Sequence, residues 1–378
     1  MSWHLHALGD VCHVQRGTTI TQEQSRLGTI PVIAGGMGPT YFHDTPNRNG
    51  NVITVSGSGA SAGYVNFWAV PIFASDCSTV TSKNPDVDIR FVFHFLRSQQ
   101  QYINTKLRSG AAQPHVYAKD IAKLELPVPS HTEQRRIAAI LDQADVLRTK
   151  RRKALAQLDN LTQSIFMGMF GNVEGKGWSM SNVACISDTR KGAMRTGPFG
   201  SQLLHSEFVD EGVVVLGIDN AVANEFRWGD RRFIPQEKYR DLKRYTVFPG
   251  DVLITIMGTC GRCAVVPADI PVAINTKHLC CITLDHEKCL PSFLHAYFLM
   301  HPIARQYLGQ TAKGAIMDGL NMGIIKEMPV PLVPIELQRD FEGRLNSLKK
   351  VKSANKQSAI ELDKLFASLQ HRAFQGEL

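Results

Sequence analysis

No stretch of the 378-residue chain reaches the ~18 consecutive apolar residues that a membrane-spanning helix requires. The segment from Met1 to Asp10 lacks a basic region followed by an apolar core, so it does not read as a secretory signal. These absences predict a cytoplasmic protein with no membrane partner. Recognisable chemistry is missing too. There is no Walker phosphate loop, no nucleophile elbow and no His-x-x-x-His zinc arrangement. There is also no Asn/Asp-Pro-Pro-aromatic tetrad of the kind that holds a target amine for methyl transfer. Asp76, Cys77 and the histidines have no spacing that assembles a site. The chain is therefore expected to be non-catalytic by itself, without a catalytic residue or a metal.

The eight cysteines, in a reducing compartment, point to buried thiols rather than disulfides. Cys260 and Cys263, followed by Cys280 and Cys281, are only loosely like a zinc ribbon. Adjacent residues on a strand face opposite ways, which spoils a four-thiolate tetrahedron unless His278 or Cys289 substitutes.

What is present begins with charge and size. Forty-two Lys and Arg against 34 Asp and Glu give a net +8, which favours a polyanionic partner. With 43% apolar residues the chain has material for two or three cores of ordinary size.

The strongest signal is internal repetition. Pro127-Val128-Pro129 precedes a polar stretch with Gln134-Arg135, Leu141, Leu158-Asp159, Leu161, Ser164 and Phe170. Pro329-Val330-Pro331 precedes another with Gln338-Arg339, Leu345, Leu362-Asp363, Leu365, Ser368 and Phe374. From Gln134 and Gln338 onward the step is a constant 204 residues, held over some forty positions. A unit this long is a half-molecule, not a solenoid turn. The segments before the two stretches share little beyond a Trp near the start (Trp3, Trp178), a strand-like run into glycine (Ile53–Gly57, Ile254–Gly258) and an apolar run. Similar connectors with dissimilar globules suggest one scaffold carrying two binding specificities.

Ser130-His-Thr-Glu133 fits a capping box and predicts a helix start. Apolar residues then recur three and four apart at Ile137, Ile140, Ala144, Leu147, Ala154, Leu158, Leu161 and Ile165, interrupted by Arg151. In the second copy the row runs Phe341, Leu345, Leu348, Val351, Leu362, Leu365 and Leu369, interrupted by Asn355, the repeat mate of Arg151. These are coiled-coil seams. Thr132 to Phe170 would span about 58 Å as a helix at ~1.5 Å per residue, too long for the face of one small domain. Because a globular segment returns between the helices, the economical arrangement is an intramolecular antiparallel coiled coil, its register fixed by the matching polar pair. The fold expectation is α+β, with two mixed globular domains joined by two long helices about a pseudo-twofold. The expected domains are 1–129, a helical region 130–172, a second domain 173–331 and a helical region 332–378.

The loop Val55–Gly63 lacks the Lys-Ser/Thr of a phosphate loop and reads as a strand leading into a turn. The segment Lys106–Lys119 gathers cations, an amide, an imidazole and a ring, and 310–321 is its counterpart. Arg suits guanine and Gln or Asn suits adenine, since each forms two hydrogen bonds to one base edge. A solvated surface loop is the bland alternative for each residue. Candidate DNA contacts are Arg16, Ser58, Ser61, Lys106, Arg108, Gln113, His115 and Tyr117 in the first half. In the second half they are Arg195, Ser201, Gln202, Lys277, Lys313 and Asn321.

At Leu126-Pro-Val-Pro129 with Glu133-Gln-Arg-Arg-Ile-Ala138, and Met328-Pro-Val-Pro331 with Glu336-Leu-Gln-Arg339, the chain closely resembles the specificity subunits of type I restriction–modification enzymes. The resemblance extends over the whole length. Its departure is Phe341-Glu-Gly343 where the first repeat has Ile137-Ala-Ala139; the glycine weakens that helix locally. The resemblance implies two target recognition domains reading a bipartite, asymmetric DNA site, with the helices setting the gap. It implies two modification subunits, which carry S-adenosylmethionine and methylate adenine N6, and two restriction/motor subunits using ATP and Mg. No cofactor is expected on this chain. A modification-only or fused restriction system would give the same sequence pattern, and a coiled-coil assembly scaffold without DNA function is the remoter alternative.

Overall fold

The computed structural model describes residues 3–110, 112–312 and 319–378. It falls into two compact units: residues 1–154 with 355–378, and residues 155–354. The long helices His131–Phe170 and Ile335–Gln375 each contribute to both units, so each globule is built around parts of two helices rather than set apart from a separate helical region.

In the first unit the strands Cys12–Arg16, Cys77–Ser82, Val52–Ser56 and Val65–Trp68 form an antiparallel sheet in that order. Strand Val52–Ser56 is buried on both faces, and its side chains alternate between two clusters, as the pleat requires. Val52 joins Ile33, Ile72, Ala74 and Cys77 beside the second sheet, built from Pro39–His43, Ile30–Ile33 and Phe73–Ala74. Ile53 and Val55 join Phe91, Val92 and Phe95 of helix Ile89–Ser98, together with Ile137 and Leu141 of the first long helix and Phe366 and Ala373 of the second. A ribbon of His4–Ala7 against Glu125–Val128 closes the unit.

The second unit repeats this plan. Met194–Thr196, Leu279–Ile282, Val252–Thr255 and Cys263–Val265 form one sheet; Arg232–Ile234, Val213–Leu216, Ala273–Asn275 and Thr246–Val247 form the other. Helix Pro291–Met300 covers the first sheet, and Met180–Asn182 pairs with Pro329–Pro331. Adjacent Cys280 and Cys281 do face opposite ways, one into the aromatic core with Phe293 and Tyr297, the other toward the second sheet. Burial pushes the Cys280 thiol up to about 12 and holds the Cys281 thiol well above its ordinary range. Among the described residues no three His, Cys, Asp or Glu side chains converge as metal ligands.

The repeat glutamines explain how each helix grips its globule. The Gln134 amide donates to the carbonyls of Asp86 (3.1 Å) and Pro129 (2.9 Å), while its oxygen accepts from the Asp88 N–H (2.8 Å). Gln338 donates to Lys288 (3.0 Å) and Val333 (2.8 Å) and accepts from Leu290 (2.8 Å). Both are 1% exposed. Each therefore fastens its long helix to the start of the globule's own covering helix. The first unit adds a clamp in which Asp142 accepts from Arg90 and from His94 Nε2 (2.7 Å). Repeat mates Phe170 and Phe374 fill matching places, the first 5.0 Å from Phe293, the second 5.4 Å from Phe91.

Within each unit the two helix segments run antiparallel. In the first, Arg136 meets Leu378, Arg148 meets Asp363 at 2.6 Å, and Arg151 donates to Asn355, the polar level expected from the sequence. In the second, Lys352 pairs with Asp159 and Phe341 packs on Phe166 and Phe170. The expected seams need correction. Ile137, Ile140, Leu158, Ile165, Phe341, Leu348, Leu362 and Leu369 are buried or half-buried, but Leu147 (48%), Leu161 (43%), Val351 (48%) and Leu365 (52%) are exposed. Their neighbours Arg148, Thr162, Lys352 and Phe366 take the inner positions. Arg148 suits an inner position because its stem is covered while its guanidinium lies 4.2 Å over the Phe366 ring and bonds Asp145 and Asp363. The capping box forms only in part: Ser130 Oγ accepts from the Glu133 N–H (3.4 Å), but the Glu133 carboxylate turns to Arg136.

Candidate nucleic-acid interface

In the first unit, the two loops that stand out in the sequence fold together at one end of the central sheet. After strand Val52–Ser56 the chain turns at Gly57, whose carbonyl accepts from the Val116 N–H (3.0 Å); the Gly59 N–H donates to the Pro114 carbonyl (3.0 Å). His115 bridges to both Ser58 and Ser109. The Val55–Gly63 turn is therefore pinned by the 106–119 loop.

Arg16, at the end of its strand, joins Gly57, Asp76, His115 and Tyr117 around a cleft of about 40 Å³. The His115 and Tyr117 rings are nearly parallel at 6.1 Å, and Lys119 Nζ lies 5.6 Å from the Tyr117 ring. A cavity this small holds no more than a water or so. It is a rim rather than a ligand pocket, and the rim offers cations, a stacked pair of rings and hydroxyls.

Arg16, Ser58, His115 and Tyr117 thus come together as a group. Lys106 and Gln113 are exposed on the same loop, and Ser61 is half-buried in the pinned turn. Arg108 is corrected: its guanidinium is directed inward, donating to the carbonyls of Ala60 (2.9 Å) and Ala62 (2.6 and 3.0 Å). It shapes the turn rather than projecting from it.

The second unit departs further from expectation. Arg195 is a core residue, ion-paired to the fully buried Asp251 and bonded to Thr283 (3.0 Å) and the Thr246 carbonyl (2.6 Å). A buried cation requires such pairing, and none of it is visible in a sequence. Asn321 is a helix cap, accepting from the Ile324 N–H (2.9 Å). Ser201 and Gln202 lie in an exposed turn, with Gln202 accepting from Tyr245 (2.9 Å). Lys313 lies outside the described residues. An open polar recess of about 420 Å³ is lined by Asp188, Asp251 and Asp285 beside Arg190 and His286, which disfavours a polyanion.

Lys277 lies near a second cation. Burial, with Lys277 and Arg232 nearby, holds the His278 imidazole below its ordinary value, so these two cations share a neighbourhood. Arg232 leads to a group absent from the expected contacts: Arg231 lies 4.4 Å over the ring of half-exposed Trp228, which is edge-on to Phe226 at 5.1 Å. The available signal was the run Phe226-Arg-Trp-Gly-Asp-Arg-Arg-Phe233, aromatics interleaved with arginines.

Residues 2–158 match a family model described as the type I restriction modification DNA specificity domain. Over 340 residues the chain is 22% identical to the specificity subunit of the type I restriction enzyme MjaVIII from Methanocaldococcus jannaschii, across 87% of this chain and 80% of that one. It is 24% identical over 322 residues to the EcoBI specificity subunit from Escherichia coli, across 76% of this chain and 65% of that one. The fold is similar to the crystal structure of a type I restriction–modification S subunit from M. genitalium, with a TM-score of 0.65 at 18% identity over 99% and 96% of the two chains.

Proposed function

We propose that this chain, a member of the type I restriction–modification specificity family, reads a bipartite and asymmetric double-stranded DNA sequence, one half-site per unit. The observation that carries the reading is the contrast within the duplication. The scaffold repeats down to the bonds of Gln134 and Gln338, while among the described residues the globules present different groups, Arg16, His115 and Tyr117 in the first against Trp228, Arg231 and Arg232 in the second. One plan with two different reading surfaces suits two different half-sites.

Phosphate contacts from the cations supply affinity and base contacts supply discrimination. The chain contributes recognition and leaves chemistry to its partners. Two modification subunits would bring S-adenosylmethionine and methylate adenine N6, and two restriction/motor subunits would bring ATP and Mg. Each unit exposes a repeat-related pair of apolar side chains on its helix segments, Leu147 and Leu365 in the first, Val351 and Leu161 in the second. Two copies of one pattern suit two copies of one docking subunit.

The test is to co-express the chain with its modification subunits and map methylated adenines. A two-part motif separated by an unread gap is expected, with DNA binding that weakens steeply as salt rises. Methylation absent, or confined to a single uninterrupted motif, would overturn the reading.

A further inference from the structure

Among the cations and rings at the first unit's cleft there is one carboxylate, and its surroundings are arranged to keep it uncovered. We propose that Asp76 reads the exocyclic amino group of a base, cytosine N4 or adenine N6, in the half-site taken by this unit. The proposal rests on the DNA-reading assignment and adds the chemistry of one contact to it.

Asp76 is half-buried and lines the cleft together with Arg16, His115 and Tyr117. Ser58 Oγ donates to its Oδ2, fixing the orientation of the carboxylate. Oδ1 has no hydrogen-bond partner, and the residue no ion pair, among the described residues. Two glycines leave it bare. A Cβ on Gly57 would come within 2.8 Å of Oδ1, and one on Gly35 within 3.4 Å of Oδ2 and 2.6 Å of the Ser58 carbonyl. The Gly57 N–H in turn donates to the Asp76 carbonyl (3.0 Å), holding turn and carboxylate together.

An ionised carboxylate is an acceptor only. Facing phosphates it is repelled, so on a DNA-binding rim it is tolerated where it meets a donor. The donors that duplex DNA presents in the major groove are the amino groups of cytosine and adenine, whereas guanine and thymine present acceptor oxygens at the equivalent place. Oδ1 therefore selects A or C on one strand at one position. Ser58 makes the selection directional, since its hydroxyl already holds Oδ2 as an acceptor.

The experiment compares adenine-methylation maps from the co-expressed modification complex carrying wild-type chain, Asp76→Asn or Asp76→Ala. In the wild type, one position of one half-site should be restricted to A or C. In D76N the amide oxygen keeps the Ser58 bond, which puts the amide nitrogen, a donor, where Oδ1 was. Preference at that position should turn toward G or T. In D76A the position should accept all four bases, with the preference of about five- to 150-fold lost. The other half-site and the gap should stay as they were. An unchanged motif in both variants, or a uniform loss of methylation at every site in both, assigns Asp76 to holding the turn and overturns the proposal. A wild-type complex without any two-part motif would instead sink the DNA-reading assignment.

Discussion

Gln134 and Gln338 each satisfy one backbone N–H and two backbone carbonyls from a nearly inaccessible position. Removing such an amide leaves buried groups unpaired, at about 1–3 kcal/mol apiece. Gln134→Ala should destabilise the first unit and Gln338→Ala the second, each visible as a selective shift of one step in denaturant unfolding; an unshifted curve would mean water replaces the amide. Asp142 offers a pH test. Burial pushes its carboxyl up, but the hydrogen bonds from His94 and Arg90 outweigh burial and hold it below the ordinary value of 3.8. A depressed folded value means the clamp's stabilisation is present above about pH 4 and is lost as pH falls through the folded pKa. Melting temperature should therefore drop more steeply below pH 4 in the wild type than in Asp142→Asn, and parallel curves would show that the clamp adds nothing. The importance of the two glutamines was legible as a register, because both copies kept them. The fates of Arg195 and Arg108 were not. A cation reads the same in a sequence whether it faces solvent, a buried Asp251 or the carbonyls of a neighbouring turn.

The helices show where a period alone misleads. Strict three-and-four alternation selects Leu147, Leu161, Val351 and Leu365 because they are apolar, yet the inner positions go to Arg148, Thr162, Lys352 and Phe366. Long cationic side chains occupy inner positions by laying their stems along the partner and carrying their charge to Asp363 or Asp159. A hydrophobicity count scores them as breaks. The polar level was legible because Arg151 and Asn355 are repeat mates, and they do meet. Cysteines placed at both positions, in a background with the exposed Cys185 replaced by Ser, should crosslink within one chain. Dimers held only by that crosslink would show that the helices pair between molecules instead. In the globules, strand-like runs such as Ile53–Gly57 were legible and overlap the observed strand Val52–Ser56, but the order of the strands was not. The second unit's sheets, for example, pair Val213–Leu216 in parallel with Ala273–Asn275 across more than fifty residues, and local pattern contains no record of such partners.

At the scale of the whole molecule, duplication was the most legible property, and it makes the helices the candidate ruler between half-sites. Each long helix passes from one unit into the other near residues 154 and 354, next to the Arg151–Asn355 level. Added length must enter both helices there, because four residues inserted in one alone would have no level to pair against. Four residues after Arg152 and four after Ser353 add about 6 Å at ~1.5 Å per residue and nearly complete a helical turn, so the inner faces stay approximately aligned. Duplex DNA rises about 3.4 Å per base pair, so the unread gap should lengthen by one or two base pairs while both half-sites remain the same. Each unit keeps its glutamine bonds and its core, since the insertions lie away from Gln134, Gln338 and the aromatic residues at the helix ends. Methylation mapping of the double insert decides the matter. Full activity with an unaltered gap would mean that the helices hold the units without setting their spacing, and the distance between half-sites would have to come from the docked partner subunits.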